Sequence, residues 1–517
     1  MRPYPIPSAA CCLVIALSAL PARAQPVKSA ASDCSAMAAL RLPDVRITDA
    51  AAVAGPVPRS PVTVPHCRVR GVIGTEIRFE VLLPDAWNGR FVMGGGGGFV
   101  GSVENQAAFA VNAGYASAGT DTGHQAPGIE ASWALDHLER QVNYGYLGVH
   151  RTTAVAKAVI RAYYGSDAAH DYFVGCSNGG RQALMEAQRF PDDYDGIVSG
   201  APAYDFTSIA ASFIRHLQVT FPDPHQLARS TISPDALKTV AAAALAQCDA
   251  GDGVKDGVIG DPDRCRFSTD DVPACNGDTA AAGCLTTAER QAVAAIYAPT
   301  VGAEGEIYPG QPPGDEADTG GWQAWITGVD AGLVTGSHQR FPSLQFAFGT
   351  EFYRYFVFRD PTWDYAGYRV ADSPRDTQPV AGILDADDPD LSAFAARGGR
   401  LLLWHGWSDP ALNARSTIRY YERVRARTPA ARDGARLLLL PGVLHCGGGA
   451  GPDQVDWLGA IADWVERGKA PERLIAAARS EDGAVTRTRP VCPYPLEAVY
   501  NGTGSTDDEA SFTCSGR

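Results

Sequence analysis

The chain has 517 residues, 45% hydrophobic and 20% charged, with 55 glycines, 36 prolines and 12 cysteines. That is enough apolar sequence for a large core, and it excludes a disordered, collagen-like or low-complexity protein. A formal charge of -14 at neutral pH argues against a nucleic-acid partner, whose phosphates require a basic patch; acidity of this kind serves mainly solubility.

Residues 1–24 combine Arg2, an apolar stretch from Ala9 to Leu20 and the small-residue sequence Pro21-Ala22-Arg23-Ala24. This is the three-part pattern of a secretory signal, with cleavage expected after Ala24. The apolar run is too short to span a bilayer and no later segment reads as membrane-spanning, so a secreted or periplasmic protein with no membrane partner is expected. Loss of the signal removes Cys11 and Cys12 and leaves ten cysteines, an even number that suggests full pairing. Spacing suggests Cys34–Cys67, Cys248–Cys265, Cys275–Cys284 and Cys492–Cys514. Cys176 and Cys446 remain, either to bridge each other or to exchange with cysteines of the middle segment.

Between Ile77 and Met93, the runs Phe79-Glu80-Val81-Leu82-Leu83 and Arg90-Phe91-Val92-Met93 read as strands, broken by Pro84 and Asn88-Gly89. A helical pattern follows from Leu147 to Tyr164. Then come a short strand at Asp171-Tyr172-Phe173-Val174, a helix beginning near Gly179 and a strand at Gly196-Ile197-Val198. Such alternation predicts a parallel sheet. It stops near Phe206 and resumes near Arg400 with a strand at Leu401 to Trp404, a helix at Ser416 to Val424, a strand at Leu437 to Leu440 and a helix from Asp453 to Val465. Residues 206–375, rich in Asp, Gly, Pro and aromatics, are expected to be a lid. It would interrupt an α/β core made of residues 25–205 and 376–517, the latter ending in a disulfide-tied tail.

Gly175-Cys176-Ser177-Asn178-Gly179 follows a strand and opens a helix, the G-x-S-x-G setting in which a tight turn lifts a serine above a sheet. A serine hydroxyl needs a base to act as a nucleophile, and the base needs an orienting group. In the α/β-hydrolase order these come later as Asp or Glu, then His. Asp409 follows the strand ending at Trp404, and His445 follows the strand ending at Leu440. The N–H of Asn178 and one from the run Gly94 to Gly98, at Gly97 or Gly98, are the expected donors to a developing oxyanion.

Cys176-Ser177, Asp409 and His445-Cys446, together with Gly179-Gly180-Arg181, resemble the CS-D-HC pattern of the tannase and feruloyl esterase family. The resemblance covers nearly the whole mature chain. It implies an α/β-hydrolase fold with an inserted lid, a Cys176–Cys446 disulfide, and hydrolysis of carboxylic esters, commonly of aromatic acids such as hydroxycinnamic or gallic acid. It also implies calcium in the lid. The segment Cys248 to Ile259 departs from EF-hand spacing but offers closely spaced hard oxygens. By resemblance the side chains of Asp249, Asp252 and Asp256 and the carbonyls of Val254 and Val258 would hold the ion, in a structural role.

The aromatics crowding the lid, Phe358 among them, are either lid core or a stacking surface for an aromatic acyl group. A branch of the family that hydrolyses mono(2-hydroxyethyl) terephthalate suggests further contacts. There Arg354 would meet a substrate carboxylate and His405 would lie near the substrate, whereas Leu412 stands where that branch carries an aromatic. Arg354 reads more readily as a solvated salt bridge. The expected function is therefore a secreted serine esterase acting through an acyl-enzyme on a small aromatic ester, without an organic cofactor. The alternatives are a terephthalate-ester hydrolase, a secreted serine peptidase or a non-catalytic calcium-binding protein.

Overall fold

The computed structural model describes residues 33–314, 316–318, 320–328, 333–334 and 340–516; the signal-sequence reading of residues 1–24 lies outside the described residues. Nine strands build one sheet: β1 (Val45–Val53), β2 (His66–Ile73), β3 (Ile77–Pro84), β4 (Arg90–Gly94), β5 (Ala116–Thr120), β6 (His170–Cys176), β7 (Gly196–Gly200), β8 (Arg400–Gly406) and β9 (Ala435–Leu440). Their spatial order is β1-β2-β3-β5-β4-β6-β7-β8-β9. The pairs from β1 to β5 along this order are antiparallel, and those from β5 to β9 are parallel.

Alternation along the parallel strands sends side chains into two cores. Phe91, Met93, Phe173, Ile197, Leu401, Leu403 and Leu437 pack with helices α1 (Gly148–Tyr164), α2 (Asn178–Arg189) and α3 (Ala414–Arg427), through Val159, Leu184 and Val424 among others. Val92, Tyr172, Val198, Leu402 and Leu438 face the other way, against Leu458, Ile461 and Trp464 of α4 (Trp457–Arg467). α1 shows why it forms: Val149, Thr152, Thr153, Ala156, Val159, Ile160 and Tyr163 recur at helical spacing on its buried face.

From β4 the chain moves outward to β5, whereas β6 pairs with the other side of β4. The order reverses between β4 and β6, and at such a switch point the carboxyl ends of parallel strands open a crevice. The loops after β4 and β6 therefore face each other.

The segment between β7 and β8 carries helices at Phe206–Thr220, Pro234–Cys248, Thr287–Tyr297, Leu344–Phe352 and Ser373–Leu384. Local sequence starts them well: Ser233 caps one ahead of Pro234, and Thr286 with Glu289 forms a capping box. Ile214, Leu217, Phe221, Phe346 and Phe352 from this segment share one apolar cluster with Phe99, Trp133 and Tyr144 of the preceding chain. The insertion is thus packed onto the loops above the sheet. Five disulfides join Cys34–Cys67, Cys176–Cys446, Cys248–Cys265, Cys275–Cys284 and Cys492–Cys514.

Candidate active site

Ser177 sits between β6 and α2 with φ 65° and ψ -125°, a conformation that side chains other than glycine rarely adopt and that persists only when its surroundings enforce it. They do so through its peptide groups. Its N–H donates to Gly200 O at 3.0 Å, and its carbonyl accepts from Arg181 N at 3.0 Å and Ala203 N at 3.1 Å. Gly175 allows α2 to begin so close to the strand, since a Cβ there would lie 2.5 Å from Gly179 backbone. One side chain, Gln106, holds both ends of the preceding residue: Cys176 N donates to its Oε1 at 2.8 Å, and its Nε2 donates to Cys176 O at 3.3 Å.

Asp409 follows β8 and His445 follows β9, and the two loops touch through backbone. Trp407 N donates to Leu440 O at 2.9 Å and Ser408 N to Val443 O at 3.1 Å. Gly406 makes this approach possible, because a Cβ would fall 2.1 Å from Val443 O. His445 then stands between its partners, with Nε2 2.9 Å from Ser177 Oγ and Nδ1 2.8 Å from Asp409 Oδ2. The other Asp409 oxygen accepts from Ala411 N at 2.8 Å and Leu412 N at 2.9 Å. Burial alone would raise this carboxyl, but the charge of His445 and hydrogen bonds from His405 and His445 hold it well below the usual carboxylate range. The Cys176–Cys446 disulfide joins the neighbours of Ser177 and His445 across a sequence separation of 270.

Gly97 and Gly98, left open as alternatives by the sequence, are distinguished here. The Gly97 N–H is taken by Glu104 Oε2 at 2.7 Å, which corrects the expectation for that residue. Gly98, at φ 49°, lines the cleft beside Ser177 and Asn178. Tyr144 and Arg181 secure the pair, since the Tyr144 hydroxyl lies 3.0 Å from Gly98 O and 3.1 Å from Asn178 Oδ1, with one proton to donate to either. Arg181 Nε also donates to Asn178 Oδ1, at 2.8 Å. Arg181 is fully buried, and its remaining donors reach the carbonyls of Tyr144, Gly145 and Leu384.

The cleft at Ser177 and His445 is walled by Phe206, Ile209, Phe213, Trp325, Phe348 and Leu412. The Trp325 ring lies 4.9 Å from the His445 ring at 74°, edge to face. No Lys, Arg, Asp or Glu is among the described residues lining it. Leu412 is where the sequence reading put it; three other expected contacts are not. His405 is fully buried away from the cleft, with Nε2 3.3 Å from Asp409 Oδ2 and Nδ1 2.8 Å from Thr417 Oγ1. It therefore supports the carboxylate. Arg354 donates to Trp363 O at 2.9 Å and lies 3.9 Å from Glu351. Phe358 stacks on Trp363 and Tyr353 at 5.3 and 5.9 Å. Neither lines the cleft. Phe206, Phe213, Phe348, Gln106 and Glu104 were not found from sequence; the spacing of Phe206, Ala210 and Phe213 signals a buried helical stripe without saying what it faces.

In the acidic loop, Asp249 Oδ1 accepts from Asp256 N at 3.1 Å and Gly257 N at 3.2 Å, and Asp252 Oδ1 accepts from Val254 N at 3.0 Å. Val254 and Val258 are buried. Asp256 Oδ2 meets Arg489 at 2.5 Å and Arg487 at 3.6 Å, while its Oδ1 is buried without a hydrogen-bond partner. Burial first, and then the Asp256 charge, raise the Asp252 carboxyl above its ordinary value. The oxygen set suits a hard cation, although the two arginines already offset part of its charge.

A serine, a histidine and a buried aspartate aligned at the carboxyl ends of parallel strands mark a hydrolase of the α/β-hydrolase fold. The model of the tannase and feruloyl esterase family matches residues 62–515, and the chain belongs to that family of carboxylic ester hydrolases. It is 37% identical to an esterase of Xanthomonas campestris, over 94% of this chain and 92% of that one. It is 33% identical to the mono(2-hydroxyethyl) terephthalate hydrolase of Piscinibacter sakaiensis, over 89% of this chain and 87% of the other. The solved structure of feruloyl esterase B from Aspergillus oryzae superposes with a TM-score of 0.80 at 27% identity, covering 93% of this chain and 99% of that one.

Proposed function

We propose that the protein is a secreted serine esterase that cleaves esters of aromatic acids through an acyl-enzyme. The observation that carries this reading is the Ser177–His445–Asp409 relay opening onto an aromatic cleft with no Lys, Arg, Asp or Glu among its described lining residues. Ser177 Oγ attacks the ester carbonyl as His445 Nε2 takes its proton, and Asp409 stabilises the resulting imidazolium. The N–H groups of Asn178 and Gly98 receive the oxyanion. His445 returns its proton to the departing alcohol, and water then releases the acid by the same path. Trp325, Phe348 and Phe213 supply faces and edges against which a flat acyl group stacks.

The lack of a cationic side chain among the described lining residues favours an uncharged acyl ring over a terephthalate monoester. The five disulfides support an oxidising compartment outside the cytoplasm. Calcium held by Asp249, Asp252 and Asp256 with the carbonyls of Val254 and Val258 would add a charge anchor for the loop, and the unpartnered Asp256 oxygen supports that assignment. Chelation is expected to lower Tm by a few degrees while leaving kcat within about twofold once the protein remains folded.

The test is hydrolysis of methyl ferulate, methyl gallate and mono(2-hydroxyethyl) terephthalate by the purified chain, with Ser177→Ala as control. Turnover of a methyl ester that is lost in the variant is expected. Preference for the terephthalate monoester overturns the uncharged-ring assignment, and turnover that survives in the variant overturns the relay.

A further inference from the structure

A second group of polar side chains lies away from the cleft. His150 projects from α1, Glu186 from α2, and Asp193 from the turn between α2 and β7, and one donor atom from each lies within 4.8 Å of the others. Glu186 is 1% exposed, no donor reaches either of its carboxylate oxygens, and only a protonated carboxyl would hydrogen-bond the neighbouring Asp193. A buried carboxyl left in this way is costly and normally satisfied. His150 Nδ1 is 2.7 Å from Asp193 Oδ2, and the imidazole stacks on Phe190 at 3.8 Å and 8°, which fixes its plane. With their side chains 33% and 17% exposed, His150 and Asp193 leave a way in from solvent. Lys157, on the same helix as His150, is engaged by Asp171 Oδ2 at 2.8 Å and by Asp193 O at 2.5 Å.

We propose that His150, Glu186 and Asp193 form a binding site for zinc or a similar divalent transition metal. One imidazole and two carboxylates are a three-ligand set of the kind zinc uses, with water completing the shell. An all-oxygen ion such as calcium gains nothing from the imidazole. Zinc bonds of about 2.0–2.1 Å place neighbouring donors roughly 3.3 Å apart, so His150 and Asp193 need to open by only about half an ångström. The bound ion would join α1, α2 and the approach to β7, and α2 is the helix that begins at Ser177.

The competing occupant is a proton. Burial and the adjacent Asp193 push the Glu186 carboxyl well above its ordinary range, which fits a proton shared between the two acids. Metal binding then releases that proton.

The test titrates Zn2+ into the chelator-stripped full chain by calorimetry, in two buffers of different ionisation heat, with Ca2+ in excess to occupy oxygen-only sites. One saturable site is expected, with release of about one proton and a rise in Tm. Affinity should fall roughly a hundredfold in Glu186→Gln. His150→Ala, at a partly exposed position, should do the same if Glu186→Gln fails to fold, and ester turnover should persist in both because neither residue touches the cleft. No saturable uptake by the parent chain, or equal uptake by the variants, overturns the site and leaves the shared proton as its occupant.

Discussion

The floor of the cleft comes from strand ends and its wall from side chains on inserted helices. Ser177, Asp409 and His445 each follow a strand, their loops are joined by backbone hydrogen bonds, and a disulfide links the residues beside two of them. The wall is Phe206, Ile209 and Phe213 from one helix, Phe348 from another, and Trp325. It is held by side-chain contacts, apolar packing together with hydrogen bonds such as His216 Nδ1 with Gln345 Oε1 at 2.9 Å and Gln345 Nε2 to Pro410 O at 3.0 Å. Proton transfer fails when donor and acceptor drift by an ångström, so the floor is tied covalently and through the main chain. Recognition of a flat ring tolerates small shifts, so the wall is left to side-chain contacts.

Attacking the floor should produce the largest effects. Ser177→Ala is expected to lower kcat by about five orders of magnitude with Tm unchanged, measured on whichever ester the parent turns over. The double variant Cys176→Ser with Cys446→Ser leaves the relay intact but unties it, and should cost roughly a hundredfold in kcat together with a lower Tm. A wall substitution should behave differently: Trp325→Ala is expected to raise KM by about tenfold while kcat moves only a few-fold, and Arg354→Ala should change neither. If Arg354→Ala alters KM, the wall extends further than the cleft residues indicate.

The smallest effect concerns the seam between floor and wall. Asp385 accepts from Thr207 N at 3.0 Å and Thr207 Oγ1 at 2.8 Å, where the first inserted helix begins. Burial and the nearby Asp205 carboxylate push Asp385 up to about 8. The folded state thus keeps a proton that the unfolded chain loses near pH 4, so this group makes stability fall as pH rises from about 4 to 8. Tm of Asp385→Asn should accordingly decline less between pH 5 and 9 than that of the parent; an equal decline would show that Asp385 is ionised in the folded protein.

The same division governs what the sequence reveals. β4, β6, β8 and β9 are apolar runs, and the residues that follow them are chemically improbable without a task, so the relay is legible. β5, Ala116-Ser117-Ala118-Gly119-Thr120, carries no strand signal because space forbids it: a Cβ on Gly119 would meet Glu104 O at 2.1 Å. His405 reads as a cleft residue because spacing cannot tell which side of a strand end meets solvent, and it proves to lie beneath Asp409. Arg354 and Phe358 belong to an aromatic cluster on the insertion whose partners, Trp363 and Tyr353, are only a few residues away. The wall residues are ordinary apolar side chains, and nothing local marks which apolar stripe faces a substrate.

The bridge from Cys176 to Cys446 closes the chain between them into a covalent ring that contains the whole insertion. A protease that cuts once within residues 206–375 opens this ring without dividing the molecule. The piece bearing the serine and the piece bearing the histidine remain one species, separable only after reduction. The surface-exposed connections of the wall can thus be nicked while Ser177 and His445 stay tethered.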